Sequence, residues 1–192
     1  TGVGVTGVQR AGNEVTVSLD DGSTVRAEEI LVATGRVPRT EDVGLEVVGQ
    51  KAGAWIEVDD TLRVPGSDWL YAVGDVNHRA LLTHQGKYQA RVAGDVIARR
   101  AGSGDVDTSA WGPLAATADH TAVPQVVFTD PEVAAVGHTE ASARAAGIEV
   151  QVVDYDLSWV AGASTHSDRY EGMSRAVIDT ERRVLVGATF VG

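Results

Sequence analysis

The sequence predicts an α/β region followed by an α+β region that is built on an antiparallel sheet. Two observations indicate this fold class. Short apolar runs in the first half lead into one long amphipathic pattern, which is typical of strands followed by a helix. After residue 113, alternating strand patterns follow one another with only one short helical segment among them. Between the two regions, residues 101–113 (AGSGDVDTSAWGP) are small and polar, which favours a domain boundary.

The first region contains a predicted β-hairpin and several short strands. Residues 13–19 alternate in hydrophobicity, and the turn-forming sequence Asp20-Asp21-Gly22 connects them to a second strand pattern. The runs Glu29–Ala33 and Trp69–Val73 are almost continuously apolar, so we expect strands that are buried on both faces. Residues 54–64 predict further short strands.

Residues 84–100 predict one long helix. Apolar side chains recur there with the spacing of one helix face, and they are Tyr88, Val92, Ala93, Val96 and Ile97. Arg99 and Arg100 lie at the end of this segment, where positive charge complements the helix dipole. Gly102 follows as a suitable C-terminal cap.

The second region combines one short helix with antiparallel strands. Thr139 is a candidate N-cap of a helix that extends to Ala146 and stops at Gly147. Strands are predicted at four places, namely residues 123–128, 148–157, 173–180 and 184–191. A Glu-Arg-Arg turn at residues 181–183 joins the last two strands, which makes them antiparallel neighbours.

Composition excludes several classes of function. The chain has 192 residues and no cysteine, so it can form no disulfide, thiolate metal site or thiol nucleophile. Its net charge of −11 argues against nucleic acid, whose phosphates require a basic surface. No apolar run approaches the roughly 18 residues that a membrane span needs, and no signal-peptide pattern is present. We therefore expect a cytoplasmic protein without a membrane span.

Three motifs that resemble known sites favour ordinary structure instead. Glycines at positions 2, 4 and 7 fit the G-x-G-x-x-G dinucleotide pattern, yet a strand pattern rather than a helix follows them. Thr165–Asp168 places Ser, His and Asp side by side, whereas a hydrolase triad unites residues that are distant in sequence, so we expect a solvated loop. The five histidines show no supported metal-ligand spacing, so no metal site is predicted.

The pair Gly74-Asp75 directly follows the apolar run that ends at Val73. In α/β folds, ligands bind beyond the carboxyl ends of strands, where glycine permits close approach and a carboxylate accepts hydrogen bonds from ligand hydroxyls. A helix that begins nearby adds the partial positive charge of its free N–H groups. From these residues alone, an aspartate that caps the following turn is an equal alternative.

Four segments, in order, resemble the flavin-dependent pyridine nucleotide–disulfide oxidoreductases. They are ILVATGRVPRT, DDTLRVPGSDWLYAVGDV, LLTHQGKYQARVAGDVIA and VPQVVFTDPEVAAVGHTEASARAAG, at residues 30–40, 59–76, 81–98 and 123–147. The resemblance implies that residues 1–31 are the tail of an NAD(P)-binding domain. It further implies that residues 32–110 are the returning half of a Rossmann-like FAD-binding domain, and that residues 113–192 are an interface domain through which subunits pair.

The resemblance also implies roles for eight residues. Thr34 and Gly35 match the crossing back into the FAD domain, where Gly35 approaches the nicotinamide nucleotide. Gly74 and Asp75 match the strand end at which an acidic residue holds the ribityl chain of FAD. The helix start that lies against the isoalloxazine ring is matched by Leu81, Leu82, Thr83 and His84. Amides at a helix N-terminus can stabilise negative charge on a reduced ring.

The implied parent protein is a homodimeric, FAD-dependent oxidoreductase that passes electrons from NADH or NADPH through FAD to a small-molecule acceptor of the disulfide type. The chain begins and ends in strand patterns and lacks that family's cysteine pair, NAD(P) fingerprint and His–Glu pair. We therefore expect an internal part of a longer protein that is inactive alone and dimerises through residues 113–192. Two alternatives stay open, a parent without redox cysteines that reduces a quinone or another acceptor, and a non-catalytic assembly module.

Overall fold

The computed structural model describes residues 1–192, which form two compact units, Thr1–Val37 and Pro38–Gly192. None of the helices combines the length and the apolar character that crossing a membrane requires. The domain ranges predicted for the parent protein stay predictions, because compactness within this chain does not identify the domains of a longer one.

A three-stranded antiparallel sheet makes up the first unit. Its strands are β1 (Val5–Ala11), β2 (Glu14–Leu19) and β3 (Thr24–Ala27), in the order β1-β2-β3. The predicted hairpin is confirmed as the β2–β3 pair. In its turn, the Asp21 carboxylate accepts hydrogen bonds from the hydroxyl and the backbone amide of Ser23, and these lower the pKa of Asp21. Of the N-terminal glycines, Gly2 and Gly4 precede β1 and Gly7 lies within it; no helix follows them, so no dinucleotide-binding turn forms there.

The strand predicted at Glu29–Ala33 is not formed. These residues have no strand pairing, and Leu31 and Val32 are 92% and 69% exposed. The prediction was wrong because a buried parallel strand requires hydrogen-bonded neighbours on both edges, and no strand of this chain pairs with these residues.

Irregular backbone also replaces the strands predicted at residues 54–64 and Trp69–Val73. Their only ladder contact is an isolated antiparallel bridge between Arg63 and Tyr71. The side chain of Ala72 is buried, but Trp69 is 68% exposed. Here too the apolar pattern describes a strand whose neighbours are absent from this chain, so these predictions were wrong.

Helix α1 (Thr83–Ala101) organises the core of the second unit and confirms the long helix predicted at residues 84–100. Its buried face packs in a cluster with residues from two other segments, and that cluster is Leu62, Val92, Ala93, Val96 and Ala116. Ile97, predicted on the same face, is 46% exposed. It lies one residue beyond Val96, and that step rotates it out of the centre of the buried stripe. The short helix α2 (Ala118–Thr121) begins two residues after Ala116, the last residue of this cluster in sequence.

A five-stranded antiparallel sheet forms the rest of the second unit, in the order β4-β5-β8-β7-β6. The strands are β4 (Gln125–Val127), β5 (Val133–Gly137), β6 (Val150–Asp156), β7 (Met173–Asp179) and β8 (Val184–Val191). All four predicted strands are confirmed, and β5 is an additional strand that the sequence did not predict. The fold is therefore mixed α/β with antiparallel sheets, as predicted.

Two short helices accompany this sheet. The helix α3 (Glu140–Ala145) begins at Thr139, whose hydroxyl accepts a hydrogen bond from the Ser142 amide while the Ser142 hydroxyl accepts one from the Thr139 amide. The predicted N-cap is thus confirmed as a reciprocal capping box. The second helix, α4 (Ala161–His166), contains the first half of the Thr165–Asp168 segment. The prediction of a loop there was wrong for that half, although the segment is exposed as expected.

The two faces of the five-stranded sheet differ in what covers them. One face, which includes Val177, packs against α3. On the opposite face, the strand register places Tyr155 beside Ser174 and Ser174 beside Phe190. Val153, Tyr155 and Phe190 are 44%, 48% and 49% exposed. We name these three residues the open sheet face.

Candidate functional site

The turn at Gly74–Asn77 has a backbone that only glycine can begin. Gly74 has φ 79° and ψ −158°, a region that residues with a Cβ atom essentially do not occupy. A 3-10 helix, Asp75–Asn77, follows at once, and the Asn77 amide donates to the Gly74 carbonyl at 3.2 Å. A methyl group added at Gly74 would meet no protein atom within 4 Å, so the backbone here adjoins open space that another molecule can approach.

The N-terminus of α1 lies directly against this turn. A Cβ atom added at Gly86, in the first turn of the helix, would be 3.2 Å from the Gly74 Cα atom. The helix begins at Thr83 with Leu82 as its N-cap, and it has neither a side-chain cap nor an acidic residue in its first turn. Its first amides therefore present an uncompensated partial positive charge.

Gln89 connects the turn to the helix by hydrogen bonds. Its Oε1 atom accepts from the Gly74 amide at 2.7 Å and from Asn77 Nδ2 at 2.8 Å. Asn77 Nδ2 also donates to the Ala72 carbonyl at 3.0 Å, and Asn77 Oδ1 accepts from the Arg79 amide at 3.0 Å. Gln89 is fully buried and Asn77 nearly so. The buried amides of two side chains therefore fix the backbone on both sides of Asp75.

A buried carboxylate, Asp119, lies behind Gln89. Its Oδ1 atom accepts from Gln85 Nε2 at 2.8 Å, and its Oδ2 atom accepts from Gln89 Nε2 at 2.9 Å. The side chain of Asp119 has no exposed surface, and the nearest cation is the Arg79 guanidinium, whose NH1 atom is 3.6 Å from Oδ2. That distance is too long for a hydrogen bond but short enough for an ion pair, which offsets part of the cost of burying the charge.

Arg79 also belongs to an ionic cluster with Asp60 and His120. The guanidinium donates to Asp60 Oδ1, and His120 Nε2 lies 2.7 Å from the same oxygen. Burial by itself raises the pKa of Asp60, but hydrogen bonds and positive charge from Arg79 and His120 outweigh it, so the pKa of Asp60 is lowered. The Arg79 side chain is only 13% exposed. Its guanidinium forms ion pairs with two carboxylates, those of Asp60 and Asp119, at the edge of the buried network.

A cavity of about 600 Å³ opens beside the start of α1. Leu81 and Leu82 line it, together with Arg79, Asp119 and His120. It therefore combines two apolar side chains at a helix N-terminus with a guanidinium, an imidazole and a carboxylate. Such a lining offers both apolar contact and polar groups to a ligand.

The structure brings together six of the eight residues that the sequence singled out. Gly74 and Asp75 lie in the turn that packs on α1, and the segment from Leu81 to His84 forms the start of that helix. His84 Nε2 lies 2.8 Å from the Pro124 carbonyl oxygen, and since a carbonyl only accepts, this nitrogen carries the proton. The Nε2 atom of His84 is thereby occupied, whereas its Nδ1 atom and its backbone are not part of this contact.

Thr34 and Gly35 belong to the first unit. Gly35 has φ 99°, which glycine adopts without strain, and a methyl group there would meet no atom within 4 Å. Both residues are exposed. Their predicted role at a nicotinamide nucleotide stays a prediction.

The sequence interpretation missed the buried network behind the turn. Its members are Arg79, Gln85, Gln89, Asp119 and, at the surface, Asp60 and His120. One signal was present: Gln85 and Gln89 continue the helical stripe of Val92 and Val96 toward the N-terminus. Glutamines on a buried stripe indicate polar partners, because an unsatisfied amide is costly to bury.

These features fit the flavin that the resemblance implies. The glycine-only turn leaves room at the backbone, Asp75 supplies a carboxylate beside it, and the first amides of α1 have no acidic cap. A polyhydroxy chain can use a carboxylate acceptor, and a ring that gains negative charge is stabilised by helix N-terminal amides. The residues present are therefore compatible with this cofactor.

Comparison with known proteins gives two family matches. The model described as "Pyridine nucleotide-disulphide oxidoreductase" matches residues 1–95, and the model described as "Pyridine nucleotide-disulphide oxidoreductase, dimerisation domain" matches residues 123–192. Together they cover most of the chain, in the order that the sequence motifs predict.

Individual relatives agree with these matches. Dihydrolipoyl dehydrogenase of Geobacillus stearothermophilus is 31% identical over 191 residues, covering 97% of this chain and 37% of the relative. Dihydrolipoyl dehydrogenase 2 of Haloarcula marismortui is 37% identical over 168 residues, covering 86% of this chain and 32% of the relative. The chain thus spans about a third of the length of these proteins.

Solved structures give the same result. LpdA of Mycobacterium tuberculosis superposes with a TM-score of 0.73 at 26% identity, over 99% of this chain and 39% of LpdA. The HOCl-induced flavoprotein disulfide reductase RclA of Escherichia coli superposes with a TM-score of 0.70 at 25% identity, over 98% of this chain and 40% of RclA. With both family models matched in order and the fold shared over nearly its whole length, this chain belongs to the pyridine nucleotide-disulphide oxidoreductase family.

Proposed function

We propose that this chain is part of an FAD-dependent NAD(P)H oxidoreductase that passes electrons through flavin to a disulfide-type acceptor. The observation that carries the proposal is the packing of the Gly74-Asp75 turn against the uncapped N-terminus of α1. The names of the relatives, dihydrolipoyl dehydrogenase and flavoprotein disulfide reductase, support the same activity. The cytoplasmic location expected from the sequence stays a prediction, which cell fractionation can test.

The residues of the site have distinct roles in this proposal. The Asp75 carboxylate accepts hydrogen bonds from the ribityl hydroxyls, and Gly74 lets the chain of the cofactor pass close to the backbone. The backbone amides of Leu81 to His84 would adjoin the ring, where the partial positive charge of the helix N-terminus would stabilise negative charge. Bound FAD would supply two-electron transfer between NADH or NADPH and the acceptor. Thr34 and Gly35 would adjoin the nicotinamide nucleotide.

The isolated chain is proposed to be inactive. It contains no cysteine, so any redox disulfide must come from residues outside this sequence. Turnover of NADH or NADPH with added FAD and lipoamide or a quinone, measured on the purified chain against free flavin, tests this point. Activity above that of free flavin would contradict it.

The parent protein is proposed to be a homodimer that pairs through residues 113–192. The match to a dimerisation-domain model supports this, and so does the open sheet face of Val153, Tyr155 and Phe190. Apolar side chains that share one exposed sheet face form the kind of patch that marks an interaction surface when it is large. A two-fold dimer would bury the same face on both copies.

The experiment for the flavin site uses the full-length protein with Asp75→Ala, Asp75→Asn and the control Asp68→Ala. Asp68 is an exposed aspartate seven residues earlier in the chain. Loss of a charge-assisted hydrogen bond costs roughly 1.5–3 kcal/mol, so Asp75→Ala is expected to weaken FAD binding about tenfold or more. Asp75→Asn keeps one acceptor and should be milder. Flavin retention equal to that of Asp68→Ala would contradict the assignment.

A further inference from the structure

We propose that Gln89 is a positioning residue for flavin, which holds the Gly74–Asn77 turn in register with the N-terminus of α1. The inference rests on the proposed flavin function and extends it to a side chain that lies behind the site. Gln89 is fully buried and lies one helical turn beyond Gln85. It is not among the eight residues that the sequence singled out.

The chemistry of its neighbours fixes the orientation of the Gln89 amide. The Gly74 amide can only donate, so the atom that lies 2.7 Å from it must be the oxygen. The Asp119 carboxylate accepts, so the atom that lies 2.9 Å from it must be the nitrogen. A flipped amide would place donor against donor and oxygen against oxygen. Gln89 therefore ties the turn to Asp119 in one orientation only.

The location of Gln89 indicates that its hydrogen bonds to the turn do more than fill space in the core. The same helix stripe continues with Val92 and Val96, which are buried in the apolar core. A leucine at position 89 would fill the space without the cost of burying an amide. What a leucine cannot do is accept hydrogen bonds from Gly74 and Asn77, the two residues that flank Asp75 and Val76.

Gln85 provides a matched control within the same network. It is also a buried glutamine on α1, and its Nε2 atom donates to the same carboxylate, at 2.8 Å from Asp119 Oδ1. No hydrogen bond joins it to the Gly74–Asn77 turn. Replacement of either glutamine by leucine removes one donor from Asp119, but only replacement of Gln89 releases the turn.

The first test compares Gln89→Leu with Gln85→Leu in the full-length protein. The readouts are FAD per folded monomer after gel filtration, the FAD dissociation constant, and the wavelength and shape of the flavin absorption band. Gln89→Leu is expected to weaken FAD binding about tenfold and to alter the band, because Asp75 is no longer held in place. Gln85→Leu is expected to change both less than twofold.

An exchange of the two side-chain types gives a second, independent test. In the double variant Gln89→Glu with Asp119→Asn, the carboxylate at position 89 accepts from Gly74 and Asn77 and also from the new amide at position 119. The oxygen of that amide accepts from Gln85. Each single variant is mismatched. Gln89→Glu places the new carboxylate against the Asp119 carboxylate, and Asp119→Asn places the new amide N–H group against an N–H group of Gln85 or Gln89. FAD affinity is therefore expected to fall in both single variants and to return to within about threefold in the double variant.

The results that overturn the inference are distinct from those that overturn the flavin site. Equal FAD loss in Gln89→Leu and Gln85→Leu, or no recovery in a folded double variant, overturns the positioning role. Failure of every position 89 variant to fold also overturns it, since Gln89 would then sustain the fold itself. If Asp75→Ala weakens FAD binding while Gln89→Leu does not, the proposed function stands and only this inference fails. If Asp75→Ala retains FAD fully, the proposed flavin site fails.

Discussion

Replacement of Gly86 by alanine tests the contact that joins α1 to the Gly74 turn. A Cβ atom at position 86 would lie 3.2 Å from the Gly74 Cα atom, whereas carbon atoms pack best at about 3.5–4.0 Å. The turn resists a shift of a few tenths of an ångström, because Gln89 holds the Gly74 amide at 2.7 Å. We therefore expect the new methyl group to strain the helix–turn contact.

Gly94 offers a control on the same helix. A methyl group at Gly94 would meet no atom within 4 Å, so Gly94→Ala should gain the helix propensity of alanine, about 1 kcal/mol, without a clash. Gly86→Ala has at most the same gain, and overpacking costs about 1–3 kcal/mol. The two variants should thus differ by about 1–3 kcal/mol in the free energy of unfolding, with Gly94→Ala the more stable.

The assay is urea unfolding of the chain followed by tryptophan fluorescence. All four tryptophans lie in the second unit, so the signal reports on the unit that contains both glycines. In thermal unfolding, the expected separation is about 2–4 °C for each kcal/mol. In the full-length protein, Gly86→Ala should also retain less FAD than Gly94→Ala. Equal stabilisation by the two substitutions would refute the close contact.

Three further outcomes are expected from the structure. The lowered pKa of Asp60 contributes stability above about pH 4 that is lost as the pH falls through the folded-state pKa, so Asp60→Asn should flatten the acid side of the stability curve measured by urea unfolding. Leu62→Ala should cost about 2–5 kcal/mol in unfolding free energy, because this side chain is fully buried in the α1 cluster; a loss below 1 kcal/mol would contradict that packing. Phe190→Asp on the open sheet face should shift sedimentation equilibrium toward monomer, whereas Val47→Asp, at an exposed position outside residues 113–192, should not.

Local patterns predicted two of the four α-helices, α1 and α3, and the β2–β3 hairpin. The stripe of Val92 and Val96 predicted α1, and Thr139 predicted the start of α3, because these signals depend on residues within one or two helical turns. The β2–β3 hairpin was predicted for the same reason, since its turn residues and alternation lie side by side in sequence.

Patterns that depend on distant partners were interpreted less well. The apolar runs Glu29–Ala33 and Trp69–Val73 have the composition of buried parallel strands, but composition does not supply the neighbouring strands that hydrogen-bond to them. β5 was missed because two of its five residues are alanine, which has little strand preference. The Gln85–Gln89–Asp119 network was invisible for a related reason, since Asp119 lies about 30 residues from its partners.

The order of the five-stranded sheet has a consequence for how this part of the protein assembles. β8 is the last of the five strands in sequence, yet it lies in the middle, between β5 and β7. Before β8 is available, β4 with β5 and β6 with β7 can exist only as two separate antiparallel pairs. During synthesis these pairs are therefore unconnected until β8 is made, and until then their inner edges are open to pairing with other chains. One continuous sheet, with the open sheet face on one side, can therefore form only after Val184–Val191 has emerged from the ribosome.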